Sequence, residues 1–196
     1  SIFSFNLNVL NELMASRSVI LPPSPWVLRF APLIKDAGNV LDLACGSGRH
    51  TVLFTARGHR VTAVDRDLSQ LSSGENIEAL EADLEGGNPW PLPGRRFDGI
   101  VVANYLFRPL LPTLTDSLSP GGVLIYETFA AGNEVYGRPR NPDFLLRDGE
   151  LLDAVAGKLT VVAYESGRIE RPAAAAVQRI TAVNAAENPV RIPPPA

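Results

Sequence analysis

The chain has 196 residues, a single cysteine, a formal net charge of −3 and a pI near 5.4. That length suits one α/β domain with its own core, the lone Cys45 rules out an internal disulfide, and a mildly acidic surface offers no global attraction for nucleic acid. No apolar run is long enough to span a bilayer and no charged-then-apolar leader opens the chain, so a cytoplasmic setting without a membrane partner is expected, with the oligomeric state left open.

Residues 1–35 do not read as sheet. Leu7, Leu10, Leu13 and Met14 recur at helical spacing and predict a short amphipathic helix. Pro22, Pro23 and Pro25 impose an extended segment. Trp26, Leu28, Phe30, Leu33 and Ile34 predict a second helix closed by Gly38. A buried strand follows over 39–43, then a glycine turn over 44–48, then a helix from Arg49 that ends at Gly58. Gly46 and Gly48 let backbone approach a ligand closely, and free N–H groups at the helix start favour polar or anionic atoms. A nucleoside fits such a turn. The dinucleotide fingerprint needs a third glycine, and Thr51 stands in that place.

The second strand, 60–64, ends at Asp65, the position where an acidic residue binds ribose hydroxyls in Rossmann sheets. The competing role for Asp65 is to cap the next helix, because Asp67-Leu68-Ser69-Gln70 also reads as a helix start. A third strand over 77–81 leads into Ala82-Asp83-Leu84. Residues 85–96 are too rich in Gly and Pro for a long helix, so the usual crossover helix is shortened or replaced by loop, with Trp90 and Leu92 packing it. The apolar run 97–103 is a buried parallel strand that delivers Asn104 and Tyr105. A helix over 112–118, a turn over 119–122 and a strand over 123–127 come next, and the strand ends at Glu127.

The loop over 128–142 lies at the carboxyl end of a central strand, where ligand contacts gather. Its aromatic, amide and arginine groups suit a substrate pocket. Residues 143–156 predict a helix. Strands over 160–164 and 174–183 are expected to join in a hairpin over Gly167, and residues 186–196 form a Pro-rich tail without core residues. There is no internal repeat, so 36–185 reads as one domain.

Asp42-x-Ala44-x-Gly46-x-Gly48 resembles motif I of the class I S-adenosylmethionine-dependent methyltransferases, Asp/Glu-x-Gly-x-Gly-x-Gly, with Ala44 in place of the first glycine. Leu-Ser-Pro-Gly-Gly-x-Leu over 118–124 is similar to that family's lead-in to its fifth strand. The stretch 142–152 resembles a segment of tellurite-resistance-type and related small-molecule methyltransferases. The resemblance covers roughly residues 36–185. It implies a Rossmann-like, doubly wound, seven-stranded and mostly parallel sheet with an antiparallel last strand, and S-adenosylmethionine as cofactor. It places Asp42, Ala44, Cys45, Gly46, Gly48 and Arg49 in or beside the cofactor turn. Asp65 and Arg66 fall at the ribose, Asp83 at the adenine amino group and the Leu84 N–H at the adenine ring. Asn104 and Tyr105 face the transferable methyl group, and Tyr105 and Glu127 are the candidates for contact with the acceptor. The extension 1–35 would cover the cleft, or else simply pack on the sheet.

A sulfonium makes the methyl group electrophilic, and transfer is an in-line displacement. The protein has to align the acceptor and exclude water; a base is needed only if the acceptor must first lose a proton. Asn104-Tyr105-Leu106-Phe107 is not the Asn/Asp-Pro-Pro-Tyr/Phe box of nucleic-acid amino methylation, and there is no Pro-Cys nucleophile. Cys45 reads as an inert small side chain. His50 and His59 lack metal partners at ligand spacing, and His50 reads as a first-turn helix residue or a cofactor-loop contact. Arg49 is expected along the cofactor carboxylate. The expected function is methyl transfer to a small molecule. The alternatives are methylation of protein or RNA, which a basic strip of Arg138, Arg140 and Arg147 would favour, a non-catalytic S-adenosylmethionine-binding protein, and a nicotinamide oxidoreductase, which Thr51 disfavours.

Overall fold

The structure, a computed structural model, describes residues 21–184 and 189–195. The helix expected around Leu7–Met14 lies outside the described residues. Seven strands form one sheet: β1 (Asn39–Leu43), β2 (Arg60–Asp65), β3 (Ile77–Glu81), β4 (Phe97–Ala103), β5 (Leu118–Phe129), β6 (Thr160–Ile169) and β7 (Ala175–Val183). Their spatial order is β3-β2-β1-β4-β5-β7-β6. β1 to β5 run parallel, and β7 lies antiparallel between β5 and β6. The chain reverses direction across the sheet between β1 and β4, the switch point where open α/β sheets place their ligand crevice.

Strand alternation sorts the core into two layers. Leu41, Leu43, Ile100, Val102, Leu124 and Tyr126 face one side, under α3 (Leu111–Asp116) and α4 (Glu150–Val155). Val40, Val61, Val101, Val123 and Ile125 face the other, under α1 (Pro25–Phe30) and α2 (Arg49–Ala56). The described part of the N-terminal extension therefore packs on the sheet, with Trp26 and Phe30 buried.

Several expected elements differ. The helix through Ile34 stops as an α-helix at Phe30 and tightens into a 3-10 turn, Ala31–Leu33. The left-handed residue after it is Ala37, φ +53°, not Gly38. Gly38 is small because a Cβ there would sit 2.9 Å from the Asp98 Cβ. Asp67 does not start a helix; its carboxylate accepts the Ser69 N–H at 2.9 Å in a turn. β5 begins at Leu118, and residues 119–122 form a bulge between the pairs Phe97–Leu118 and Gly99–Val123.

The helix expected over 143–156 is split. Pro142–Phe144 is a 3-10 turn, and α4 starts only at Glu150. Leu146 between them pairs with Ala130: its N–H reaches the Phe129 carbonyl at 3.0 Å, and its carbonyl accepts the Ala131 N–H at 2.9 Å. β6 runs through Gly167, which pairs with Val177, so the hairpin turns at residues 170–174 instead. The tail does contribute to the core, since Val190 packs on the α1 layer and Pro193 O accepts from Arg29 Nε at 3.3 Å.

Candidate active site

The carboxyl ends of the parallel strands open onto a cleft of about 720 Å³. Its floor is the turn after β1. Ala44 takes φ +54°, Gly46 +53° and Gly48 +83°. Ala44 thus holds a left-handed conformation that costs an L-residue about 1–2 kcal/mol, an expense of the kind that gathers at functional sites. A Cβ on Gly46 would meet nothing within 4 Å, so the turn is open to a ligand, whereas one on Gly48 would overlap the Leu71 side chain.

Asp65 at the end of β2 braces this turn. Its Oδ2 accepts the Gly46 N–H at 2.8 Å and its Oδ1 the Asp67 N–H at 3.1 Å. A carboxylate has about four acceptor sites, so two remain for other donors. Asp83, after β3, folds its own loop through the Glu85 and Gly86 N–H groups at 2.9 and 3.2 Å. Asp65, Arg66, Asp83 and Leu84 share the cleft wall with Ala44, Asn104 and Tyr105. The wall also includes Glu85, Thr128, Phe129, Pro139 and Phe144, which no sequence motif marks individually. Four of these lie in or next to the loop after β5 whose composition suits a pocket.

Five expected cofactor residues stand off the wall: Asp42, Cys45, Gly46, Gly48 and Arg49. Gly46 and Gly48 shape the turn by backbone alone. Asp42 is buried, 2% exposed, and accepts a 2.6 Å hydrogen bond from the Thr51 hydroxyl. Burial lifts its pKa to about 6 against the lowering effect of that bond. The residue in the third-glycine place is thus a latch between β1 and α2. Burial pushes the Cys45 thiol up to about 12, which leaves it an unreactive thiol at neutral pH.

Arg49 turns away from the cleft. Its Nη1 reaches Pro22 O at 3.3 Å, and it lines a second cavity. His50 is not part of the cleft wall; its Nε2 accepts the Ser24 N–H at 3.1 Å and ties α1 to α2. Burial drops its pKa to about 3. The unfolded chain takes up this proton near 6.5 and the folded chain only near 3, so the unfolded state binds more protons across that window. Stability should therefore fall as pH drops from 6.5 toward 3. Asp42 works in the opposite sense between 3.8 and about 6, with the smaller shift. Urea melts at pH 7 and pH 5 should show a small net loss, and His50→Gln should abolish or reverse it, because the Asp42 contribution remains.

Tyr105 and Glu127, the two acceptor candidates, part company. Tyr105 lines only the first cleft, and its carbonyl accepts the Tyr126 hydroxyl at 2.8 Å. Burial, then the nearby Glu85 carboxylate, pushes its own hydroxyl pKa up, which makes it a poor base. That hydroxyl is buried and, although the Glu85 carboxylate is near enough to act on it, meets no acceptor at hydrogen-bonding geometry among the described residues. Tyr105→Phe should leave stability unchanged or raise it by up to about 1 kcal/mol in a urea melt, since removing an unsatisfied buried group is not destabilising. A loss of several kcal/mol would show that the hydroxyl is bonded.

Glu127 lines the second cavity, of about 710 Å³. Its Oε2 lies 3.2 Å from Arg179 Nε, its cross-strand neighbour on β7. The contact is off the N–H direction, so it is an ion pair rather than a hydrogen bond. Asn104, Thr128 and Phe129 line both cavities, which therefore lie side by side. Asn104 sits there in a left-handed conformation, φ +58°, its N–H bonded to Glu127 O at 3.0 Å. Among the described residues no cluster of His, Cys, Asp or Glu is placed to hold a metal ion, and no helix is long and apolar enough to cross a membrane.

Comparison with known proteins gives these features a context. Residues 40–122 match a methyltransferase-domain family. The chain is 30% identical over 112 residues to a trans-aconitate 2-methyltransferase of Delftia acidovorans; the match takes in 52% of this chain and 41% of that protein, so the chain spans about two fifths of the relative's length. The fold superposes on TehB from Haemophilus influenzae with a TM-score of 0.60 at 15% identity, over 93% of this chain and 63% of that one. It also superposes on a 1,6-didemethyltoxoflavin-N1-methyltransferase of Burkholderia thailandensis, solved with 1,6-didemethyltoxoflavin and S-adenosylhomocysteine bound, with a TM-score of 0.58 at 21% identity over 91% and 84% of the two chains. At these identities the structural likenesses show a shared fold.

Proposed function

We propose, from a methyltransferase domain over residues 40–122 carried on this shared fold, that the chain is an S-adenosylmethionine-dependent methyltransferase acting on a small molecule. One observation carries the reading. Two carboxylates, Asp65 and Asp83, follow adjacent parallel strands on a single cleft, beside a glycine turn with open space above it. That donor set fits an adenosine. Asp65 has acceptor sites to spare for ribose hydroxyls, Asp83 can accept from an adenine amino group, and Leu84 can offer its N–H to the ring.

Bound S-adenosylmethionine supplies an electrophilic methyl group. The chain's own residues then have three tasks. The turn 44–48 holds the polar end of the cofactor through backbone N–H groups. Asn104 and Thr128, at the junction of the two cavities, position the acceptor. The loop after β5, through Phe129, Pro139 and Phe144, shields the junction from water.

The relative that acts on trans-aconitate supports a small acceptor. The basic strip that would favour protein or RNA is broken, because Arg147 pairs with Glu150 and Arg138 lines the second cavity. A second cavity beside the cleft, sharing Asn104, Thr128 and Phe129 with it, offers room for an acceptor, which favours an enzyme over a non-catalytic binder. The test is incubation with S-adenosylmethionine and a panel of organic acids, phenols, amines and thiols. Acceptor-dependent formation of S-adenosylhomocysteine is expected; binding of the cofactor without turnover on any acceptor class would favour the non-catalytic reading.

A further inference from the structure

Resting on that cofactor reading, we propose that the second cavity is the acceptor chamber and that it selects an organic acid, whose carboxylate is held by Arg138 and Arg171 and whose apolar body lies against the proline- and alanine-rich wall. Among the described residues, four arginines line this cavity, Arg49, Arg138, Arg171 and Arg179, against one carboxylate, Glu127. Arg179 already faces Glu127 at 3.2 Å and Glu165 at 3.4 Å, so that acid is matched. Arg49 donates to the Pro22 carbonyl. Arg138 and Arg171 have no ion pair or side-chain hydrogen bond among the described residues.

Among the described residues, unpaired arginines occur elsewhere in this acidic chain, Arg57, Arg60 and Arg140 among them. What sets this cavity apart is that several guanidinium groups share one wall, with Arg138 and Arg171 exposed at its mouth. The remaining wall is largely apolar, with Pro22, Pro25, Leu28, Ile169, Ala174 and Val177. Guanidinium groups present planar, paired donors that match a carboxylate, and a cationic acceptor would meet only repulsion there. Asn104, Thr128 and Phe129 line both this cavity and the first cleft, so an acid held by Arg138 and Arg171 lies next to the cofactor site.

Calorimetry tests this with hexanoate, adipate and trans-aconitate as acids and hexanamide as the neutral control, each titrated into the protein with and without S-adenosylhomocysteine. At least one acid should bind at least about tenfold more tightly than hexanamide. Arg138→Gln/Arg171→Gln should weaken that acid by about tenfold or more, while its affinity for S-adenosylhomocysteine stays within about twofold and its melting temperature is retained. Equal binding of acids and amide, silence from all three acids, or an unchanged acid affinity in the double variant would overturn the proposal while leaving the cofactor reading standing. Failure of S-adenosylhomocysteine to bind would instead fail the cofactor reading, and the titrations without it still read the arginine site.

Discussion

Replacing Arg108 by alanine should destabilise the fold by about 2–3 kcal/mol, less than the loss for a fully buried ion pair because the Arg108 side chain is 29% exposed. Arg108 follows β4, and its guanidinium reaches across to the segment after the pocket loop. Nε and Nη2 donate to the two Glu150 carboxylate oxygens at 2.6 and 3.0 Å, Nη1 donates to Asp143 O at 2.6 Å and Nη2 also to Leu145 O at 2.8 Å. The Glu150 side chain is only 9% exposed, so the variant leaves a carboxylate buried without its main partner. Burial alone would raise the Glu150 pKa; Arg108 and the Arg147 contacts outweigh that and hold it at about 2. A depressed acid contributes stability above pH 4.5 that is lost as pH falls toward 2, and Arg108→Ala should remove that dependence as well as the stability at neutral pH. Urea denaturation at pH 7 and pH 3.5 measures both. Arg108→Lys should recover only part, since one ammonium cannot reproduce a planar fork with four acceptors. A loss below about 1 kcal/mol in the alanine variant would mean that the network is no more than a surface pair.

The second large effect concerns affinity. Asp65→Ala should weaken S-adenosylhomocysteine binding by about 1.5–3 kcal/mol, roughly tenfold to more than a hundredfold, the scale of hydrogen bonds to a charged group. Its present bonds to the Gly46 and Asp67 N–H groups are solvent-exposed, so water can replace them, and stability should change by less than about 1 kcal/mol. Asp65→Asn keeps one acceptor oxygen and should fall between. Calorimetry and a urea melt on the same preparations separate the two readouts. Unchanged affinity in the alanine variant would remove Asp65 from the ribose.

The first cleft is legible in the sequence because its parts are local. Four parallel strands are each followed at the carboxyl end by residues of the cleft or its turn: Leu43 by the glycine turn, Val64 by Asp65, Glu81 by Ala82-Asp83, Ala103 by Asn104. The second cavity is not, because its wall combines residues 21–28, 127–138 and 169–179, which the β5–β7 pairing and the packing of α1 on the sheet bring together. Its place after β4 suggests Tyr105 for contact with the acceptor, and the structure sets it on the wall of the first cleft. The pairing of Leu146 with Ala130 overrides a good helical pattern over 143–156, a tertiary contact that propensity cannot register. Gly167 reads as a turn, but it lies inside β6, opposite Val177. Thr51 reads as a missing glycine; its hydroxyl bond to Asp42 depends on the angle between β1 and α2, which spacing does not encode.

The most direct test of the central reading is parallel calorimetric titration of the purified protein with S-adenosylhomocysteine and with NADH. Saturable binding of S-adenosylhomocysteine with no heat from NADH is the predicted result. Binding of NADH with silence from S-adenosylhomocysteine would contradict it, and would mean that the cleft beside Asp65 and Asp83 serves a nicotinamide oxidoreductase instead.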